Sequence, residues 1–239
     1  MSNVQSKIDN FVEYFNKTIE VINTIEVESN YDFLRQALFV NIIDTLSKTI
    51  IDDTNDKNTR FTNTIERFGN WKDCNKINLI HLLRILDLIS SPDIKGLRDF
   101  CFEQKKKWKI GSPISISTDP DFDTIKSMWT DNISVPGFKK FRLEYLTHKY
   151  LLYKFRCFLA HESRKPGYGL AFPEDDYPFF HQVGWRDGST TWELCYPTLF
   201  FKKITKTILD NFKTYYLTNN INPYDNFEYG TYWIGQLNT

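Results

Sequence analysis

The sequence predicts a mainly α protein, a helical bundle with a small β-hairpin inserted before the last long helix. Three observations predict it. Apolar residues recur at three- and four-residue steps through most of the chain, the period of a helix with one buried face. Clusters of Pro, Gly, Asn and Asp interrupt that pattern where interhelical turns are needed. One stretch, at about 177–196, drops the helical period for two short aromatic-rich runs around a turn.

Taken in order, Ser2–Thr24 places Ile8, Phe11, Val12, Phe15, Ile19 and Ile22 on one face of an amphipathic helix. Asn30–Ile51 follows the same period. Its apolar positions cover most of the circumference, which predicts a place at the centre of the core. The polar run from Asp52 to Thr59 reads as a loop. Thr59–Phe68 and Ile77–Ile89 are further helices, the second stopped by Ser91-Pro92. Ile94–Trp108 is helical and ends in Lys105, Lys106, Lys107, Trp108 and Lys109. A solvated helix end is the simpler reading of that run, and a patch that stacks and neutralises RNA is the alternative. Gly111–Asp121 reads as a loop, Asp123–Asp131 as a short helix and Val135-Pro136-Gly137 as a turn.

Phe138–Glu162 reads as one long helix. Phe141, Tyr145, His148, Leu152, Phe155 and Leu159 form its buried stripe, which makes His148 a core histidine. Arg142, Lys149 and Arg156 are seven apart. Seven residues drift by only about 20° around a straight helix, so these three form one basic line beside the stripe. Pro166-Gly167 closes the helix. Tyr177–Gly184 and Thr190–Tyr196 flank Arg186-Asp187-Gly188-Ser189 as a hairpin. Pro197 takes the first helical position of a last helix, Leu199–Leu217. The tail, about 219–239, packs over the surface through Tyr224, Phe227, Tyr232 and Trp233. Neither a repeat nor a linker divides residues 1–239, so one domain is expected.

Composition limits the functional classes. A chain of 239 residues can bury a full core, and 41% hydrophobic with 25% charged residues is globular rather than disordered. Thirty basic residues balance thirty acidic ones, so net charge predicts no polyanion partner. Locally, however, Lys139–Lys165 holds eight basic and two acidic residues, a patch able to attract nucleic acid or simply a solvated face. Cys74, Cys101, Cys157 and Cys195 share no metal-ligand spacing and read as reduced thiols of a cytoplasmic protein. The amino-terminal residues lack the apolar core of a signal peptide. No apolar run approaches the roughly 18 residues of a membrane span. No phosphate loop, dinucleotide glycine motif or H-E-x-x-H is present, and no metal or cofactor is expected. The run Asp119-Pro120-Asp121-Phe122-Asp123 opens like a calcium loop but lacks its Gly and Glu, so helix capping by Asp121 or Asp123 is the better reading. His81 and His181 have no ligand-spaced partner.

The stretch with chemical content is Tyr153–Gly169, Y-K-F-R-C-F-L-A-H-E-S-R-K-P-G-Y-G. It sets Arg156 and His161, separated by four residues, at the end of a helix. Histidine transfers protons near neutrality, and arginine presents a planar fork that matches phosphate oxygens. Five residues advance a helix by about 7.5 Å and turn it by about 140° net. The two side chains can therefore meet only if His161 sits where the helix ends and Arg156 reaches along it. Their polar tips are then expected about 4–8 Å apart, within reach of one phosphate.

This segment resembles the Arg-x4-His motif of the HEPN superfamily, and its continuation H-E-S-R-K-P-G-Y-G resembles HEPN-like prokaryotic proteins of the toxin and phage-defence type. The resemblance is tight over about twenty residues and extends less sharply to Phe39–Lys48 and Arg60–Trp71. Cys157 stands where the family often has Asn, Asp or His. The resemblance implies metal-independent cleavage of RNA by its own 2′-OH, with Arg156 and His161 as the catalytic pair. It also implies a homodimer whose motifs face each other and a possible antitoxin or defence-system partner. Arg142, Lys149, Arg164 and Lys165 are the candidate RNA-binding residues. The competing readings are a non-catalytic HEPN-fold scaffold and an unrelated helical regulator.

Overall fold

Eight α-helices and one three-stranded antiparallel sheet are formed among the residues that the computed structural model describes, 2–28, 31–50, 56–130 and 133–227. The chain is mainly α, with the sheet completed just before the last long helix. No helix among the described residues is long and apolar enough to cross a membrane. Of the positions named above, Asn30, Ile51–Asn55, Asp131, Tyr232 and Trp233 lie outside the described residues.

The larger core is built by five helices. Helix α1 (Ser2–Thr24) buries the expected stripe from Ile8 to Ile22. Helix α2 (Phe33–Lys48) buries Phe39, Val40, Ile42, Ile43 and Leu46 and touches α1, α3 (Lys57–Phe68), α7 (His148–Glu162) and α8 (Thr198–Asn219). It is not enclosed, however, because Leu34 and Leu38 remain 45% and 40% exposed. Helix α3 starts where the Asp56 side chain accepts a hydrogen bond from the Thr59 amide at 2.9 Å, satisfying one orphan donor of its first turn. Helix α8 lies along α1 and α2 and buries Phe200, Phe201, Ile204, Ile208, Leu209, Phe212 and Tyr216. After it, Tyr224 and Phe227 close over Phe11, at 5.3 and 6.1 Å between ring centroids.

A second apolar cluster joins α4 (Leu79–Leu88), α5 (Lys95–Lys106) and α6 (Phe122–Met128). Trp108 packs against both clusters, with its ring 4.8 Å from Phe180 and 5.1 Å from Trp192. This contact explains an aromatic residue in the lysine run: Trp108 anchors the end of α5 to the sheet.

Two expectations are corrected. The first concerns Gly111–Asp121, read as a loop. It contributes strand β1 (Ile114–Ser115), which pairs with β2 (Phe179–Gly184) through Ile114 opposite Phe180, and β2 pairs in turn with β3 (Thr190–Cys195). A two-residue strand is too short to leave a period in the sequence. The turn between β2 and β3 has Gly188 at φ 81°, a conformation natural to glycine.

The second correction concerns Phe138–Glu162, which is not one helix. Leu143–Leu146 is a 3₁₀ turn, Thr147 is extended, and α7 begins at His148. The cause lies in neighbouring backbone. The His148 and Lys149 amides donate to the carbonyls of Lys76 and Cys74, and the Asn78 amide donates to the Leu146 carbonyl. Helix-start amides lack partners within their own helix, and here residues 74–78 supply them across the fold. The basic line of Arg142, Lys149 and Arg156 therefore does not form, because Arg142 precedes the helix. Boundaries shift elsewhere too. Pro197 is the residue before α8 rather than its first, and α7 ends three residues before Pro166, at Ser163 with φ 51°.

Candidate active site at the end of helix α7

Helix α7 buries His148, Leu152, Phe155 and Leu159 and so turns Arg156 toward α2. Left-handed Ser163 stops the helix one residue after Glu162, which leaves His161 in the last turn, exposed to solvent. Despite their separation around the helix, the two side chains converge. Arg156 Nη1 lies 3.4 Å from His161 Nε2, a little closer than the spacing expected from the sequence. An Arg N–H is always a donor, so this contact is a hydrogen bond when Nε2 carries a lone pair and the ring proton sits on Nδ1.

What holds the guanidinium is a residue the sequence reading did not single out. Asp44 of α2 receives both Nε and Nη2 of Arg156 on its Oδ2 atom. The two side chains are 20% and 14% exposed. Burial holds the Asp44 carboxyl above its ordinary value, against the pull of Arg156. Burial also works against the charge on Arg156, but Asp44 outweighs it and the guanidinium is held more firmly protonated than usual. One edge of the fork is thus occupied, and the Nη1 edge faces His161. Asp44 is the lone carboxylate in the apolar sequence of α2, and that isolation is the signal by which it could have been found.

Replacing Asp44 by Asn should reduce stability by about 1.5–3 kcal/mol, the usual value of a hydrogen bond to a charged group. It should also change a pH slope. Between the ordinary carboxylate value and the raised value of Asp44, the folded chain binds more protons than the unfolded chain. This group alone therefore makes stability fall as pH rises through that window. The Asn variant should lose that component in urea titrations across mildly acidic pH.

The proposed RNA contacts are placed unequally. Lys149 is engaged by Glu66, at 2.5 Å, with the lysine side chain 19% exposed. Arg164 pairs with Glu162 at 2.6 Å and lies 4.7 Å above the Phe158 ring. Arg142 is exposed before α7, and Lys165 is half-buried after it. They do not form one line with Arg156.

Other candidates resolve structurally. His148 is fully buried, as expected, and its Nε2 is hydrogen-bonded with Asp119 Oδ2 at 2.7 Å. Asp119 is therefore an interior residue rather than a loop ligand, and burial raises its carboxyl against the opposing pull of His148. Asp121 occupies the cap position of α6 without a side-chain cap bond and pairs with Lys76 at 3.1 Å. Among the described residues, no three or more His, Cys, Asp or Glu side chains are grouped as a metal ion would require. No family model, curated protein or solved structure matches the chain.

Proposed function

We propose that this chain is a HEPN-like, metal-independent endoribonuclease acting in a toxin or phage-defence setting. One observation carries the reading. A phosphate-matching guanidinium and a proton-transferring imidazole meet at 3.4 Å on an accessible helix end, with Asp44 fixing the guanidinium from behind. In the chemistry that follows, the substrate 2′-OH attacks the adjacent phosphorus, the 5′-oxygen leaves, and a 2′,3′-cyclic phosphate forms. His161 takes part in proton transfer at these oxygens, and Arg156 Nη1 neutralises charge gathering on the phosphorane. Arg142 and Lys165 would hold flanking phosphates, with Lys149 and Arg164 contributing less because Glu66 and Glu162 already balance them. The same reading includes a homodimer that brings two motifs together, and an antitoxin or defence-system partner.

A second reading is favoured by a specific observation. Two of the three guanidinium nitrogens of Arg156 are held by Asp44, and the residue that follows is Cys157, a poor hydrogen-bonding group. An arginine so engaged also suits a non-catalytic scaffold of the same fold. Incubation with total RNA in chelator separates the two. Fragments ending in 2′,3′-cyclic phosphate are expected of the nuclease, whereas RNA left intact both with and without divalent metal would favour the scaffold.

A further inference from the structure

On a different face of α7 from Arg156, a cavity of about 240 Å³ lies between α4, α7, β3 and the Pro166–Gly167 segment. It is smaller than the roughly 300–1,000 Å³ typical of drug-sized ligand sites, which leaves room for one planar ring system with its substituents outside. Its lining combines three kinds of group. Phe158 and Trp192 supply aromatic surface, and Phe158 is one helical turn before His161. His81 and Glu193 supply acceptors. Arg84 and Lys154 are exposed cations at its edge.

The state of His81 follows from its neighbours. Asn78 Oδ1 accepts from the His81 amide at 2.9 Å, so that atom is the oxygen, and it lies 2.8 Å from His81 Nδ1. The ring proton therefore sits on Nδ1, which leaves Nε2 as a bare acceptor. Burial and nearby Arg84 push the imidazole down to about 4, so it stays neutral at neutral pH. Glu193 accepts from the Thr191 hydroxyl at 2.8 Å and from the Tyr168 amide at 3.3 Å. A carboxylate has about four lone-pair sites, so two remain for a ligand. Gly167 keeps the loop close to this carboxylate. Its φ is +72°, and a Cβ there would come within 2.8 Å of Glu193 Oε2. Arg84 makes no ion pair or hydrogen bond among the described residues. Lys154 rests over the rings of Tyr150 and Tyr153, at 5.4 and 5.9 Å.

We propose that this cavity binds a ribonucleotide through its base, with guanine preferred, and that Arg84 and Lys154 take its phosphate. A base fits the aromatic lining. Its N–H donors answer the two acceptors, and guanine offers N1–H and N2–H side by side to one carboxylate. That the nucleotide belongs to an RNA strand whose neighbouring phosphate reaches His161 rests on the ribonuclease reading. The binding chemistry itself does not.

The test is calorimetric titration of the full-length His161→Ala chain with GMP, UMP, guanosine and a short oligoribonucleotide carrying one internal G. GMP is expected to bind more tightly than UMP by about tenfold or more, the usual value of a bidentate base contact. Glu193→Gln should erase that preference. Arg84→Ala should bring GMP down toward guanosine, and because Arg84 is exposed and makes no ion pair among the described residues that variant should fold normally. Circular dichroism of both variants shows whether the fold is kept. Binding of GMP together with the oligonucleotide identifies an RNA subsite, whereas binding of GMP alone identifies a free-nucleotide site. Equal affinity for GMP and UMP, or no binding of either at millimolar concentration, overturns the proposal. GMP binding by the variant, with RNA left intact by the parent chain, would keep the cavity assignment and end the ribonuclease reading. Cleavage of RNA without GMP binding would do the reverse.

Discussion

Substituting His161 by Ala should lower RNA cleavage by about 10²–10⁴-fold, the range associated with loss of a general acid or base. Stability should stay within about 0.5 kcal/mol of the parent, as for surface positions away from buried networks. The structure separates these two effects cleanly. His161 is exposed in the last turn of α7, and among the described residues its side chain makes one polar contact, the 3.4 Å approach to Arg156. The helix is ended by Ser163, and its packing is supplied by Leu152, Phe155 and Leu159, none of which the substitution touches. Rates on a fluorescent oligoribonucleotide, measured beside urea midpoints, check both halves. Equal rates in the two proteins would remove His161 from the chemistry.

The largest effect on stability is expected from His148→Leu. His148 and Asp119 are both completely buried, 2.7 Å apart. With the imidazole gone, the Asp119 side chain would keep, among the described residues, only a 3.3 Å bond from the Leu79 amide. Breaking a buried pair while leaving one charge inside costs about 3–5 kcal/mol, whereas replacing both partners by apolar groups is often near neutral. The double variant His148→Leu/Asp119→Leu should therefore recover most of what the single variant loses. A double-mutant cycle in urea gives the coupling. A single variant as stable as the parent would show that the pair does not tie the start of α7 to residues 119–121.

The two cases show what the sequence could and could not reveal. Period alone located α1, α3, α4 and α8, because each buries one continuous face of a regular element, and the hairpin was legible from two aromatic-rich runs around a turn. The split of Phe138–Glu162 was invisible. It depends on amides of His148 and Lys149 finding carbonyls at Lys76 and Cys74, about 70 residues away in sequence. Strand β1 was missed because two residues carry no alternation. At the site, Arg156 and His161 were legible from residue type and placement at a helix end. Their convergence needed the exact end of α7, and Asp44 needed the packing of α2 on α7. The partners of Lys149 and His148, namely Glu66 and Asp119, are likewise contacts between elements distant in the chain. Spacing within one helix cannot signal them.

Attack by the substrate's own 2′-OH is tested directly by a chimeric oligonucleotide. It consists of DNA with a single ribose, incubated with the full-length chain in chelator. DNA lacks the nucleophile, so cleavage should fall only on the 3′ side of that ribose, leave a 2′,3′-cyclic phosphate and persist without divalent metal. Cleavage of the all-DNA control, or loss of cleavage in chelator, would contradict the mechanism.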